Sequence, residues 1–307
     1  MVKELKHQSN IDRKLLYGIF LVTIIILISL AAYFFVLKSN PESWTAAIID
    51  QLTIQDQLDN PNFRDQGASI LNTSGYDVKY YSGGTITVNF LKDLPAKGEK
   101  ILLLRTHSAV RDNTDWVDIF TSELYLSGKY FDLAESKQIS KAQMYSFEEW
   151  YFAIGPRFIN QTMRGHFDGD CLVILMGCNS LNQTSMAKAL VGKGARAVIG
   201  WTSWVEANYT DTFTLELLQY LLAENPYTIQ EAVDKINQEI KNNQPNPFNS
   251  KLAYYPTSEE AASFMVPKNN IGVSVNSLFD PVQVFLLTTL LSPNQKEMSL
   301  KRSLFNR

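Results

Sequence analysis

The sequence predicts an α/β fold, a mostly parallel sheet flanked by helices, with one N-terminal transmembrane helix ahead of it. Three observations lead there. Strand-like and helix-like runs alternate through most of the chain. Two of the strand-like runs, 101–106 (ILLLRT) and 171–176 (CLVILM), are largely apolar, as strands covered on both faces are. Residues 15–37 run for 23 positions without a charge, between Lys14 and Lys38.

The apolar run comes first in the chain. At 1.5 Å per helical residue, about 20 apolar residues cross a bilayer core. A cleaved signal peptide would have a shorter apolar region and a small-residue cleavage site, and no clear site follows. The run is read as an uncleaved anchor in contact with the lipid bilayer. Lys3, Lys6, Arg13 and Lys14 precede it, whereas only Lys38 lies in the 20 residues after it. The positive-inside rule then makes residues 1–14 cytoplasmic and the rest extracytoplasmic, a single-pass protein of the cell membrane. Sequons beginning at Asn72, Asn160, Asn182 and Asn208 suit that side.

Residues 38–60 read as a juxtamembrane helix or stalk, with Pro41 at a first-turn position and 41–59 helical. The α/β domain is expected over 61–292. Its strand candidates are 77–81, 101–106, 171–176 and 196–201, with 85–90 either a further strand or the start of a helix. Its helix candidates are 62–72, 184–192, 211–224 and 228–242; the last opens with a capping box from Thr228 to Glu231, and Gly192 and Gly194 punctuate the end of 184–192. Residues 111–165 hold shorter signals and read as excursions over the sheet. The run 282–291 is too short to span a membrane, and 293–307 is a polar tail.

Composition narrows the function classes. The 307 residues are 45% hydrophobic and 19% charged, which excludes a largely disordered chain. With 28 basic and 31 acidic residues the net charge is -3, so no basic footprint for nucleic acid exists. Two cysteines cannot staple a disulfide scaffold or build a zinc ribbon, and no metal or cofactor is implied. Neither GxGxxG nor GxxxxGK[ST] occurs, which weakens a small-ligand domain at the strand edge as a reading.

Two positions carry chemistry. His107 follows the strand ILLLRT, and Cys178 follows CLVILM after Gly177. Reactive groups of open α/β sheets collect at the carboxyl ends of the strands. If both strands run parallel, His107 and Cys178 emerge at one edge as a nucleophile–base dyad. Taken singly, each also has a plain reading, a small buried hydrophobe and a hydrogen-bonding surface residue. Cys171 begins the strand that Cys178 follows; the separation of roughly 23 Å far exceeds the reach of a disulfide. His166 falls toward the opposite edge, and His7 precedes the anchor.

Around these residues the sequence resembles the caspase-like superfamily of cysteine peptidases, which includes caspases, gingipains, clostripain, separases and CHAT-domain proteins. The matching segment is 172–205, an apolar strand, Gly-Cys, a helix, and a Gly-Ala turn into a strand ending near tryptophan; LLLRTHS stands upstream in the family's order. The likeness covers about residues 76–242. It implies Cys178 as nucleophile, His107 as its partner, and Ser108 and Gly177 as backbone contributors to an oxyanion site. The family usually has glycine where this chain has Ser108.

The resemblance implies a membrane-anchored, extracytoplasmic cysteine peptidase acting on peptide or protein substrates. His107, Arg105 or the amino end of helix 184–192 would raise the ionised fraction of the thiol. The pocket candidates are Arg105, Glu123, Trp201, Trp204 and Glu206. Arg105 shares strand parity with His107, its alternative being a salt bridge to Glu123 or Asp118. Glu206 would receive a basic side chain between Trp201 and Trp204, its alternative being a solvated loop carboxylate. Asp211 is expected to cap the following helix. The competing reading is a non-catalytic caspase-like surface binding or scaffold module.

Overall fold

The computed structural model describes residues 44–144, 148–243 and 246–268, together with 20, 23, 24, 26 and 27. Those five positions are helical. The rest of the predicted span 15–37 lies outside the described residues, as do 1–14, the run 282–291 and the tail 293–307. Among the described residues no helix is long and apolar enough to cross a membrane. The chain divides into two compact units, Met1–Ser43 and Trp44–Arg307. The second is an α/β unit.

Its elements in chain order are β1 (Trp44–Asp50), two short 3-10 turns (Gln51–Ile54 and Asp56–Leu58), α1 (Pro61–Thr73), β2 (Tyr76–Ser82), α2 (Val88–Lys92) and β3 (Glu99–Arg105). An excursion follows: β4 (Ser108–Val110), β5 (Val117–Leu124), α3 (Phe131–Glu135), β6 (Ile139–Gln143), β7 (Trp150–Ile154) and α4 (Pro156–Gln161). The chain then returns through β8 (Leu172–Leu175), α5 (Ser185–Gly192), β9 (Ala197–Trp201), α6 (Ala207–Leu221), α7 (Ile229–Asn243), β10 (Leu252–Tyr255) and α8 (Glu259–Ala262).

The main sheet has the order β10-β9-β8-β3-β1-β2. Every pairing in it is parallel except that of β10 with β9. The apolar strands feed two cores in alternation. Ala47, Ile49, Leu102, Leu104, Val173 and Leu175 face one core, shared with α2, α4, α5 and residues of β5 and β7. Ala46, Ile48, Ile101, Leu103, Leu172 and Ile174 face the other, shared with α1, α6 and α7. A side-chain period of two, read by two different cores, explains why these strands carry unbroken apolar runs.

The predicted helix over 41–59 is corrected by this arrangement. Trp44–Asp50 is a strand inserted between β2 and β3, and its last five residues are buried. The segment AAII is too short for periodicity to separate a buried strand from a buried helix. Pairing on both sides satisfies its backbone, which decides for the strand. Over 85–90 the helical alternative holds, since α2 starts at Val88 with the Thr87 side chain accepting from Phe90 N–H.

Caps follow local chemistry. Asn60 accepts from Phe63 N–H at 3.1 Å with Pro61 in the first turn of α1. Thr228 and Glu231 exchange hydrogen bonds as a capping box at the start of α7. Gly194, after α5, sits at φ +109 against the Phe167 carbonyl, a position only glycine fills without strain.

The excursion between β3 and β8 builds a separate antiparallel sheet of order β4-β5-β7-β6. Its ladder begins one residue before β4, where Phe120 N–H donates to the His107 carbonyl at 3.0 Å. His107 therefore stands where the chain leaves one sheet and enters the other.

Candidate active site

Strands β3 and β8 are adjacent and parallel, with Leu104 opposite Leu175. His107 and Cys178 each lie three residues beyond that pair, so the register brings them to one edge at the same height. Both line a cavity of about 590 Å³, with Ser108, Phe120, Trp204 and Glu206 also in its wall. That volume suits a side chain or a short peptide segment. Cys171 and Cys178 are both free thiols, Cys171 fully buried and Cys178 partly exposed.

The two loops interlock through small groups. A Cβ on Gly177 would fall 2.4 Å from the Thr106 carbonyl oxygen and 2.3 Å from Ser108 Oγ. Only glycine lets the cysteine loop approach the histidine loop this closely. Ser108 Oγ donates to the Cys178 carbonyl at 2.6 Å and locks the contact. Ser108 opens β4, and its φ is not among the positive ones, so the conformation here does not demand glycine. Asn179, next to the thiol, does adopt a left-handed φ of 56, which turns the chain out of β8.

Cys178 Sγ donates to the Val205 carbonyl at 3.3 Å and accepts from Val205 N–H at 3.4 Å. Burial pushes its thiol above the ordinary range, with the Val205 backbone pulling the other way. Burial, and then the nearby Arg105 guanidinium, push the His107 imidazole down to about 4. At neutral pH the pair is a thiol and a neutral imidazole, burial opposing the larger ionised fraction expected from His107 and Arg105.

Two glutamines that the sequence did not single out hold His107, one at its backbone and one at its ring. Gln51 Oε1 accepts from the His107 backbone N–H at 2.9 Å, and Gln55 Nε2 lies 3.2 Å from His107 Nε2. Both are buried and project from the turns directly after β1. Their spacing of four residues was visible, but reading 41–59 as a stalk removed them from consideration.

The remaining site candidates scatter. Trp204 and Glu206 line the cavity, with Trp204 58% exposed. Arg105 does not, a correction to its expected place. It is fully buried and donates from Nε and Nη2 to both oxygens of Asp211, at 2.7 and 2.8 Å, and from Nη1 to Asp50 at 2.8 Å. Neither Glu123 nor Asp118 is its partner. Asp118 pairs with Arg111, and Glu123, also outside the cavity lining, accepts from Val88 N–H and pairs with Lys129. Asp211 lies inside α6 rather than capping it. Trp201 is buried in the second core with its indole N–H on Thr210 Oγ1, so it forms no wall of the cavity. His166 is exposed ahead of β8, away from this cavity. Among the described residues no group of three or more His, Cys, Asp or Glu side chains could hold a metal ion.

The depressed histidine ties folding to pH. The imidazole titrates at 6.5 when free of the fold and at about 4 within it. Its contribution to stability is therefore complete above pH 6.5 and lost as pH falls toward 4. Allowing for partial solvent contact, acidification should remove about 2 kcal/mol through this group. Denaturant unfolding at pH 7 and pH 4.5, on the natural chain and on His107→Asn, measures it. An equal acid loss in both proteins refutes the assignment.

No family model and no curated protein matches this chain.

Proposed function

We propose that this protein is a membrane-anchored, extracytoplasmic cysteine peptidase of caspase-like fold, with Cys178 as nucleophile and His107 as its base. One observation carries the reading: an imidazole and a free, partly exposed thiol share a cavity at matched heights on adjacent parallel strands. The anchor belongs to the reading through residues 15–37 and the lysine asymmetry around them.

The chemistry follows from the protonation states. A neutral imidazole takes the thiol proton as sulfur attacks the peptide carbonyl carbon. A carbon–sulfur bond forms, and the carbonyl electrons move onto oxygen. Collapse of that intermediate breaks the carbon–nitrogen bond, and His107 returns the proton to the leaving amine. Water, deprotonated by His107, then attacks the thioester, releases the acid and restores the thiol. The Gln55 amide facing Nε2 governs which nitrogen carries the ring proton. With the Gln55 amide nitrogen toward the ring, Nε2 accepts and Nδ1 carries the proton; turning the amide so that its oxygen faces Nε2 moves the proton to Nε2 and frees Nδ1 to act as base.

The test is labelling of the full-length protein with a peptidyl acyloxymethyl ketone. The expected result is alkylation of Cys178 and not Cys171, lost in His107→Ala, with Cys178→Ala abolishing hydrolysis of a peptide library.

A second reading, a non-catalytic caspase-like binding or scaffold module, has its own observation. Both hydrogen-bonding capacities of the thiol are taken by Val205, as for a structural cysteine. Cys178 reacting no faster than Cys171 under native conditions, with Cys178→Ala leaving function intact, decides for it.

A further inference from the structure

A second cavity lies where α7 runs into β10. It encloses about 660 Å³ between the last turns of α7 and the segment 246–251. It shares no lining residue with the cavity at Cys178. Its walls are tied together, because Asn237 on α7 exchanges two hydrogen bonds of 2.9 Å with the backbone of Leu252 in β10.

One polar group in the wall has no partner. Asn246 is 6% exposed, and its Oδ1 accepts from Phe248 N–H at 2.7 Å. That bond fixes which end of the amide is oxygen, and Nδ2 is left buried with nothing to donate to. Buried donors are nearly always paired, so an orphan in a cavity wall calls for an acceptor from a ligand. Ser250 supplies a second donor. It is 1% exposed, and its Oγ accepts from Ser203 N–H at 3.0 Å, so the hydroxyl proton remains to be given.

Charge decides the class of ligand. Lys241 and Lys251 both line the cavity, and neither ammonium forms an ion pair or hydrogen bond with a described residue. No Asp or Glu belongs to the lining. The carboxyl end of α7 adds a negative charge of only about half a unit, against two full positive charges. The cavity is therefore electropositive and presents donors, which suits an oxyanion. A carboxylate would balance one lysine. A phosphate group carries a charge of about -1.5 to -2 near neutral pH, which balances both, and its three free oxygens can also accept from Asn246 and Ser250. The space exceeds a bare phosphate and leaves room for the body of a small molecule.

We propose that this cavity binds a small molecule through its phosphate group, held by Lys241, Lys251, Asn246 Nδ2 and Ser250 Oγ. The proposal does not depend on the peptidase reading.

The experiment uses the full-length protein in detergent micelles, titrated with inorganic phosphate, with acetate, and with sodium chloride matched for ionic strength. Calorimetry and thermal unfolding report binding. Phosphate is expected to saturate one site and to raise the unfolding temperature. Acetate should bind at least about tenfold more weakly, and chloride should show no saturation. Lys241→Gln and Lys251→Gln alter exposed side chains, and each should weaken phosphate binding at least about tenfold. Lys251→Arg should retain it, since charge and N–H donors stay. Asn246→Asp puts a carboxylate oxygen where the orphan donor stood and should abolish binding. If that variant does not fold, the lysine variants decide alone. Absence of saturable phosphate binding overturns the proposal. So does acetate binding as tightly as phosphate, or phosphate binding unchanged when both lysines are replaced by glutamine.

Discussion

Replacing Arg105 with leucine should remove about 3–5 kcal/mol of folding stability at neutral pH. The guanidinium is wholly buried and serves two carboxylates, Asp50 and Asp211, together with the Leu58 carbonyl. Tyr80 donates to the free oxygen of Asp50, and Asn60 donates to Asp211. Burial already pushes the Asp50 carboxyl above its ordinary range, against the pull of Arg105. Without the guanidinium, two carboxylates would face each other in the interior with no cation. The Asp50 carboxyl, already raised, would rise further in the folded state. Its contribution is fully present below the unfolded carboxylate pKa and lost as pH rises through the folded one. The variant should therefore lose most at pH 7 and least near pH 4. Urea unfolding of both proteins across that range is the measurement, and a loss below about 1 kcal/mol at pH 7 would refute the cluster's structural role. Replacing Asp50 and Asp211 with leucine in the same variant should recover much of the loss, because the uncompensated charges go with them. The damage would reach the candidate site as well, since Gln51 directly follows Asp50 in sequence and Gln55 lies between Asp50 and Leu58.

Gly177→Ala should cost roughly 3 kcal/mol, the upper end of what overpacking produces, and should abolish thiol labelling. The added methyl would meet Ser108 Oγ at 2.3 Å and the Thr106 carbonyl at 2.4 Å. The serine side chain could rotate away, at the expense of its bond to the Cys178 carbonyl. The Thr106 carbonyl is backbone, so the histidine loop itself must retreat. Two other glycines supply the comparison. At Gly200 the nearest contact is Ser180 Oγ at 2.6 Å, a group that can swing aside, so alanine there should cost less. At Gly84 nothing lies within 4 Å, and alanine should be close to neutral. Thermal unfolding of the three variants ranks them. A Gly177→Ala protein as stable as Gly84→Ala would mean that the two loops are not in contact in solution.

Much of the main sheet was legible because its inner strands are apolar on both faces, and such runs stand out in any sequence. CLVILM and RAVIGW announced β8 and β9, and ILLLRT announced β3. The small sheet was not legible. VDIFTSEL mixes buried polar residues, Asp118 and Thr121, among its apolar ones, and ISKAQ alternates a buried with a more exposed face, so neither makes an unbroken apolar run. LAYY in β10 is too short to be distinctive. The juxtaposition of His107 and Cys178 could be reasoned from strand ends alone, since a parallel register fixes their height. The partners of Arg105 could not. Parity along β3 says only which face its side chain takes, and that face holds a buried guanidinium whose carboxylates come from 55 positions before and 106 after. Gln51 and Gln55 were lost with β1. Once 41–59 is read as one helix, the turns within it have no reason to approach His107.

The interior place of β1 also fixes what can be trimmed from the chain. A fragment beginning at residue 61, where the helix pattern alone would draw the boundary, would lack a strand bonded on both flanks. Its two former neighbours, β2 and β3, would be left with bare edges and no means of closing the gap. Proteolytic nicking upstream of Trp44 would free an intact body, whereas nicking at the turns 51–58 would dismantle it.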